Sequence, residues 1–157
     1  KVCLSILGTW SGPSWTSSST LRTVLVSIQS LLCEHPIQNE PGHEKETGKN
    51  DALYSEIIGY ENISVAVVKM LRQTPPKFKE FRPQMRKLFL KSFDKYVAAL
   101  EPYKAREGKK DKSPIWGFET SYRVSALLQD LEKLKAEVTK EENDAAQSDE
   151  PPAKRAK

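Results

Sequence analysis

The sequence predicts a predominantly α-helical chain. Four stretches place apolar side chains three and four residues apart, and the proline-rich steps Pro41-Gly42 and Pro75-Pro76 fall between those stretches. In the first, Leu21, Val24, Leu25, Ile28, Leu31 and Leu32 form one apolar stripe, expected to be buried, with Ser18, Ser19 or Thr20 available as the N-cap. Pro36, Pro41, Gly42 and Gly48 then punctuate a polar stretch reaching about Asp51, long enough to mark either a functional loop or disorder.

The second helix is expected from Leu53 to Leu71, with Ile57, Ile58, Val65, Val68 and Leu71 inward and Gly59 as its weak point. Its run Ile63 to Val68 is β-branched enough to read locally as a strand. Pro75-Pro76 stops it. The third pattern, Phe78, Phe81, Met85, Leu88, Phe89, Phe93, Tyr96, Val97 and Leu100, has Pro83 near the first turn of its main part. Lys104 to Pro114 reads as a basic linker. Val124, Leu127, Leu128, Leu131, Leu134 and Val138 form the last amphipathic helix, and from Glu141 the acidic, then Pro-rich and basic composition predicts a disordered tail.

With 157 residues, 38% hydrophobic and 29% charged, the chain can build one modest core. No apolar run approaches membrane-spanning length, and the first residues lack the regions of a secretory signal. Cys3 and Cys33 do not suggest a disulfide framework, and no Cys/His cluster has zinc spacing, so a cytoplasmic or nuclear location and no bound metal are expected. The net charge of +4 is uneven: Lys77 to Lys112 holds 12 Lys/Arg against 5 Asp/Glu. Without an aromatic ladder or a Gly-rich RNA-binding motif, this is read as a solvated basic face that can engage an acidic partner surface, ahead of a nucleic-acid interface.

A thiol near pKa 8.5 is a few per cent thiolate at neutral pH and already a strong nucleophile, so it suits thioester exchange, which needs access more than a strong base. Around Cys3 the small residues Ser5, Gly8, Thr9, Ser11 and Gly12 allow access, while Leu4, Ile6, Leu7, Trp10 and Trp15 can anchor the loop. His35 and His43 have no recognisable protease context. Taken alone, a cysteine among aliphatics is more often a small core residue.

Cys3-Leu4-Ser5-Ile6-Leu7, then Gly8-Thr9-Trp10, Trp15, the helix from Leu21 to Leu32, Asn39-Glu40-Pro41-Gly42 and Ile63-Ser64-Val65-Ala66-Val67 occur in an order that resembles the stretch following the catalytic cysteine in ubiquitin-conjugating (UBC) enzymes, in their large, insertion-bearing branch. The resemblance implies an α+β UBC fold whose first helix and antiparallel sheet precede this sequence, with 1–100 the later part of the catalytic domain, 101–140 a basic linker and helical extension, and 141–157 the tail. It implies that Cys3 carries ubiquitin or a ubiquitin-like modifier as a thioester and passes it to a lysine or a ligase. Its implied partners are an activating enzyme that uses ATP, a ubiquitin ligase and protein substrates, with no bound cofactor. A catalytically silent ubiquitin-binding scaffold and a basic nucleic-acid-binding module are the alternatives. Without the preceding sheet, the chain by itself is expected to unfold without cooperativity and to accept no modifier.

The same resemblance assigns further residues. Thr23, Val26 and Ser30, opposite the apolar stripe, correspond to the helix face that holds the donor ubiquitin. Asn39, Glu40, His43 and Glu44 lie in the loop that lines the acceptor-lysine groove and promotes loss of the lysine's proton. Cys33 is read as a partly buried structural thiol. Thr16-Ser17-Ser18 stands where many UBC enzymes have Ser-Pro-Ala, so this loop is expected to be less preset than theirs. Pro151 to Lys157 resembles a short nuclear-import signal.

Overall fold

The computed structural model describes residues 2–148; the expected import signal, Pro151 to Lys157, and the end of the tail lie outside them. Among the described residues five α-helices, Leu21–Ser30 (α1), Lys49–Glu61 (α2), Met70–Arg72 (α3), Arg82–Leu100 (α4) and Val124–Ser148 (α5), are joined by 3₁₀ turns, a π-helical segment Asn62–Lys69 and two paired strands, Lys110–Lys112 (β1) and Glu119–Ser121 (β2). The chain forms two compact units, Lys1–Gly59 with Lys112–Glu119, and Tyr60–Asp111 with Thr120–Lys157.

The first unit is loop-rich, and its core is small. Ile37, Tyr54 and Ile115 cluster with Ile58, and Ile57 is also buried. The polar stretch before α2 is nonetheless ordered by specific bonds. Tyr54 Oη donates to Glu40 Oε1 at 3.0 Å, His35 Nδ1 meets Asp51 Oδ2 at 2.7 Å, and Gln38 Nε2 donates to the Glu46 carbonyl at 3.1 Å. α1 forms where its period predicts, and Thr20 and Thr23 cap it reciprocally. Its stripe, however, is only partly covered: Val24, Ile28 and Leu31 are half-buried, whereas Leu21, Leu25 and Leu32 are 72%, 58% and 83% exposed, and no residue of α1 is fully buried. Periodicity fixes which side chains share a face but not what covers that face.

The second unit has a larger core, with Phe89, Phe93 and Leu100 of α4 against Val124, Leu127, Leu131, Leu134 and Val138 of α5, together with Ile63, Val68 and Leu71. Tyr60, Tyr103 and Tyr122 pack ring to ring at one end, with centroids 5.0 to 6.0 Å apart. The β-branched run is helical, not a strand. In the wider π turn residues five apart share a face, which puts Ile63 and Val68 inside and leaves Val65 outside at 49% exposure, contrary to the expected register. Phe78 and Phe81 are also exposed, since they sit on the 3₁₀ turn Pro76–Phe81 before α4 begins and do not follow its face.

The stretch expected to be a linker contains β1, whose three polar residues carry no hydrophobic alternation for the sequence to reveal. On β2, Thr120 is buried and its Oγ1 donates to Glu61 at 2.9 Å. α5 continues to Ser148, through the first part of the expected disordered tail. Its acidic residues are held by the basic region: Arg82 and Arg86 both bond Glu141, and Arg86 Nε meets Glu142 at 2.7 Å. Arg72 bonds Asp130 and Arg106 bonds Asp111, each within 2.8 Å. The arginines of the basic region therefore serve as internal clamps rather than a wholly solvated face.

This clamp has a pH signature. Burial pulls the Glu141 carboxyl up, but the hydrogen bonds from Arg82 and Arg86 outweigh it and hold the group below its ordinary value. A depressed carboxyl stabilises the fold above its unfolded pKa, about 4.3, and that contribution is lost as pH falls through the lower folded value. Urea unfolding of the second unit between pH 5 and pH 3 is expected to lose less stability in Glu141→Gln than in the parent chain. The difference should be modest because Glu141 is partly exposed and screened.

Candidate active site

Cys3 stands just before the 3₁₀ turn Ser5–Leu7, and Thr9 braces the loop around it. Thr9 Oγ1 accepts from the Leu4 N–H at 2.9 Å and lies 2.6 Å from the Val2 carbonyl, to which it donates; it therefore ties the residues on both sides of the cysteine. The Thr9 N–H also donates to the Leu4 carbonyl at 3.2 Å. The reversal passes through Gly8 at φ 65°, left-handed backbone that glycine adopts without strain. Gly12 is favoured by its φ of 134° and by crowding, since a Cβ there would lie 3.0 Å from Ser5 Cβ.

The Cys3 side of this loop opens on a cleft of about 250 Å³ lined by Cys3, Leu4, Ser5, Trp10, Leu31, Gln38, Asn39 and Glu44. Cys3 is partly exposed and forms no disulfide. Of the residues expected at an acceptor groove, Asn39 and Glu44 thus share the cleft with the thiol. Asn39 is anchored, its Nδ2 donating to the Leu31 carbonyl at 2.9 Å and lying 3.4 Å from Cys33 Sγ. Glu44 is held below the usual carboxylate range by backbone N–H groups, its own and that of Gly42, so it stays ionised at the rim.

Glu40 and His43 do not line this cleft. Glu40 is occupied structurally, since its two oxygens accept from Tyr54 Oη and from Trp116 Nε1 at 3.3 Å. His43 faces Glu46 at 3.7 Å. Cys33 is exposed rather than partly buried, because the turn after α1 points it away from any core. Thr23, Val26 and Ser30 are all exposed on α1, with Val26 at 56%. Thr23 spends its hydroxyl on the helix cap, accepting from the Thr20 N–H at 3.3 Å.

The loop Thr16-Ser17-Ser18 is set without a proline. The Thr16 N–H donates to Ser19 Oγ at 3.0 Å, the Thr16 and Ser18 hydroxyls meet at 2.9 Å, and the Ser19 N–H donates to the Thr16 carbonyl at 2.9 Å. Sequence reasoning missed Thr9 as the brace and Gln38 and Leu31 as cleft walls. Gly8-Thr9 carried the signal for the first, as a left-handed position followed by a hydroxyl able to bond backbone. Among the described residues no group of three His, Cys, Asp or Glu side chains is placed to hold a metal.

No family model matches the chain. It is 38% identical over 139 residues to the human ubiquitin-conjugating enzyme E2 Z, covering 88% of this chain and 39% of that protein. The Xenopus tropicalis ubiquitin-conjugating enzyme E2 Z is 38% identical over 85% of the chain and 43% of its own length, and that of Danio rerio 36% over 92% and 45%. The chain therefore spans less than half the length of these relatives.

Proposed function

The chain is a homologue of the Z-type ubiquitin-conjugating enzymes, and from that premise we propose that it carries ubiquitin or a ubiquitin-like modifier on Cys3 and delivers it to an amine. The observation that carries this is the Cys3 thiol itself, partly exposed on the wall of a cleft and held in a loop braced by Thr9. The Cys3 thiolate attacks the thioester carbonyl at the C-terminus of a modifier already loaded, at the expense of ATP, on an activating enzyme. The new carbon–sulfur bond forms as the activating enzyme's thiolate leaves. A deprotonated lysine amine then attacks the Cys3 thioester, the Cys3 thiolate departs, and the amide nitrogen releases its proton to solvent. No organic cofactor or metal takes part in this proposal. A ligase, protein substrates and a cytoplasmic or nuclear setting complete it.

Glu44 has a definite part in this reading. A carboxylate kept ionised attracts a lysine ammonium to the cleft but raises that lysine's pKa, so it docks the acceptor and does not deprotonate it. Asn39, fixed by its bond to the Leu31 carbonyl, lines the same cleft. The Val26 side of α1 receives the donor modifier and restricts its motion. Val26→Asp is expected to leave charging of Cys3 unchanged while slowing transfer to free lysine about fivefold, close to 1 kcal/mol. Single-turnover discharge at the parent rate would remove the donor face from the proposal.

The carrier function is tested in the full-length protein. Incubation with activating enzyme, ATP and ubiquitin, followed by a non-reducing gel and peptide mapping, is expected to find the adduct on Cys3 and to lose it on adding thiol. An adduct that maps elsewhere, or none at all, overturns the assignment.

A further inference from the structure

The second unit carries an apolar groove that the carrier chemistry does not use. It measures about 210 Å³, and its walls are Ala66, Val67 and Met70 on one side and Met85, Leu88 and Tyr96 on the other. Three features mark it as a receiving surface. Both methionines of the chain, Met70 and Met85, lie in it, and methionine adapts its shape to an incoming apolar side chain. One wall belongs to the π-helical segment, a conformation that recurs where helices serve function. Leu88, at 61% exposure on a 19-residue helix otherwise anchored by buried Phe89 and Phe93, is left in water at its edge.

Charge identifies the occupant. On α4, Lys91 and Lys95 follow Leu88 by three and seven residues and so lie on its side of the helix, both exposed, with Lys87 beside them. Lys69, also exposed, stands next to Met70 on the opposite wall. No acidic side chain lines the groove, and Asp94 falls further round α4 behind Lys91. A second copy's partly covered α1 would bring Arg22 and no carboxylate, and the chain's own end, Lys154 to Lys157, is basic. Neither complements these rims.

We propose that this groove docks an amphipathic helix of a partner protein whose apolar side chains recur at three and four residues and whose flanks are acidic. From Met85 to Tyr96 is eleven residues, or about 16 Å of helix, which matches three turns of a partner and anchors at i, i+3 or i+4, and i+7. Glutamates on either side of those anchors meet Lys69 on one rim and Lys91 and Lys95 on the other.

The probe is a fluorescent 14-residue synthetic helix with leucines at those positions and glutamate flanks, compared with the same leucines flanked by lysine, titrated by anisotropy with the full chain. The expected result is binding of the glutamate peptide at least tenfold tighter than the lysine peptide, weakening as salt rises. Leu88→Glu should cost at least tenfold, and because Leu88 is exposed this variant keeps the core. Lys91→Glu with Lys95→Glu should shift preference toward the lysine peptide. Equal binding of the two peptides, no binding of either, or affinity untouched by Leu88→Glu overturns the proposal. So does concentration-dependent self-association that Leu88→Glu abolishes, which would assign the groove to a second copy.

Discussion

Hydrogen exchange on the 157-residue chain is expected to separate its two units by orders of magnitude. Amides of α4 and α5 sit over a core that includes Phe89, Phe93, Leu131, Leu134 and Val138, all nearly excluded from water. A unit with the usual margin of about 5 kcal/mol or more opens globally less than once in a thousand, so these amides should be protected by roughly a thousandfold or more. Amides of α1 have no such cover. Leu21, Leu25 and Leu32 each forgo about 1.5 to 3 kcal/mol by remaining in water, and ten residues of helix do not hold themselves together by propensity alone. They are expected to exchange within about tenfold of an unstructured peptide. The buried core of the second unit predicts that it melts cooperatively, in place of the wholly uncooperative unfolding expected from the sequence, and the exchange pattern decides between the two. Uniform protection of α1 and α5 would show that α1 is stabilised by something its exposure does not reveal.

How far the fold could be read from sequence follows from how local each cause is. α5 was legible almost residue by residue, since Val124, Leu127, Leu131, Leu134 and Val138 keep one period on one face and all are buried. α1 was legible as a helix, down to a cap among the three candidates, yet its burial was not, because covering a face is a property of the partner. The register of Val65 failed for a different reason. A π turn changes the period in mid-helix, and no single residue announces it. β1 and β2 are three residues each and polar, too short for alternation to show. The helical state of Glu141 and Glu142 depends on Arg82 and Arg86, more than fifty residues away, and composition alone reads them as a solvated tail. At the cleft, Cys3 and Asn39 were legible through the ordered series of motifs. Thr9 was not singled out, since its three contacts with backbone become visible only once the loop closes.

Replacing Cys3 by alanine, in the full-length protein, is expected to abolish the thiol-sensitive adduct with activated ubiquitin, whereas Cys33→Ala should keep charging within about twofold of the parent. Both cysteines are accessible, so exposure does not separate them. What separates them is surroundings. Cys3 opens on a cleft that Asn39 and exposed Glu44 also line, and its backbone is fixed on both sides by Thr9. Fixing the backbone matters because transfer rewards a thioester held in one geometry, and disorder of even an ångström is costly. Cys33 follows the end of α1, and its nearest polar contact is the long 3.4 Å approach of Asn39 Nδ2. Thr9→Val refines the same argument: it keeps the thiol and the side-chain volume but removes the hydroxyl that joins Val2 and Leu4. Charging should persist in Thr9→Val and be absent in Cys3→Ala, because attack needs the sulfur while the brace only orients it. If Cys3→Ala still forms the adduct and Cys33→Ala does not, the carrier thiol is Cys33 and the cleft beside Cys3 has another use.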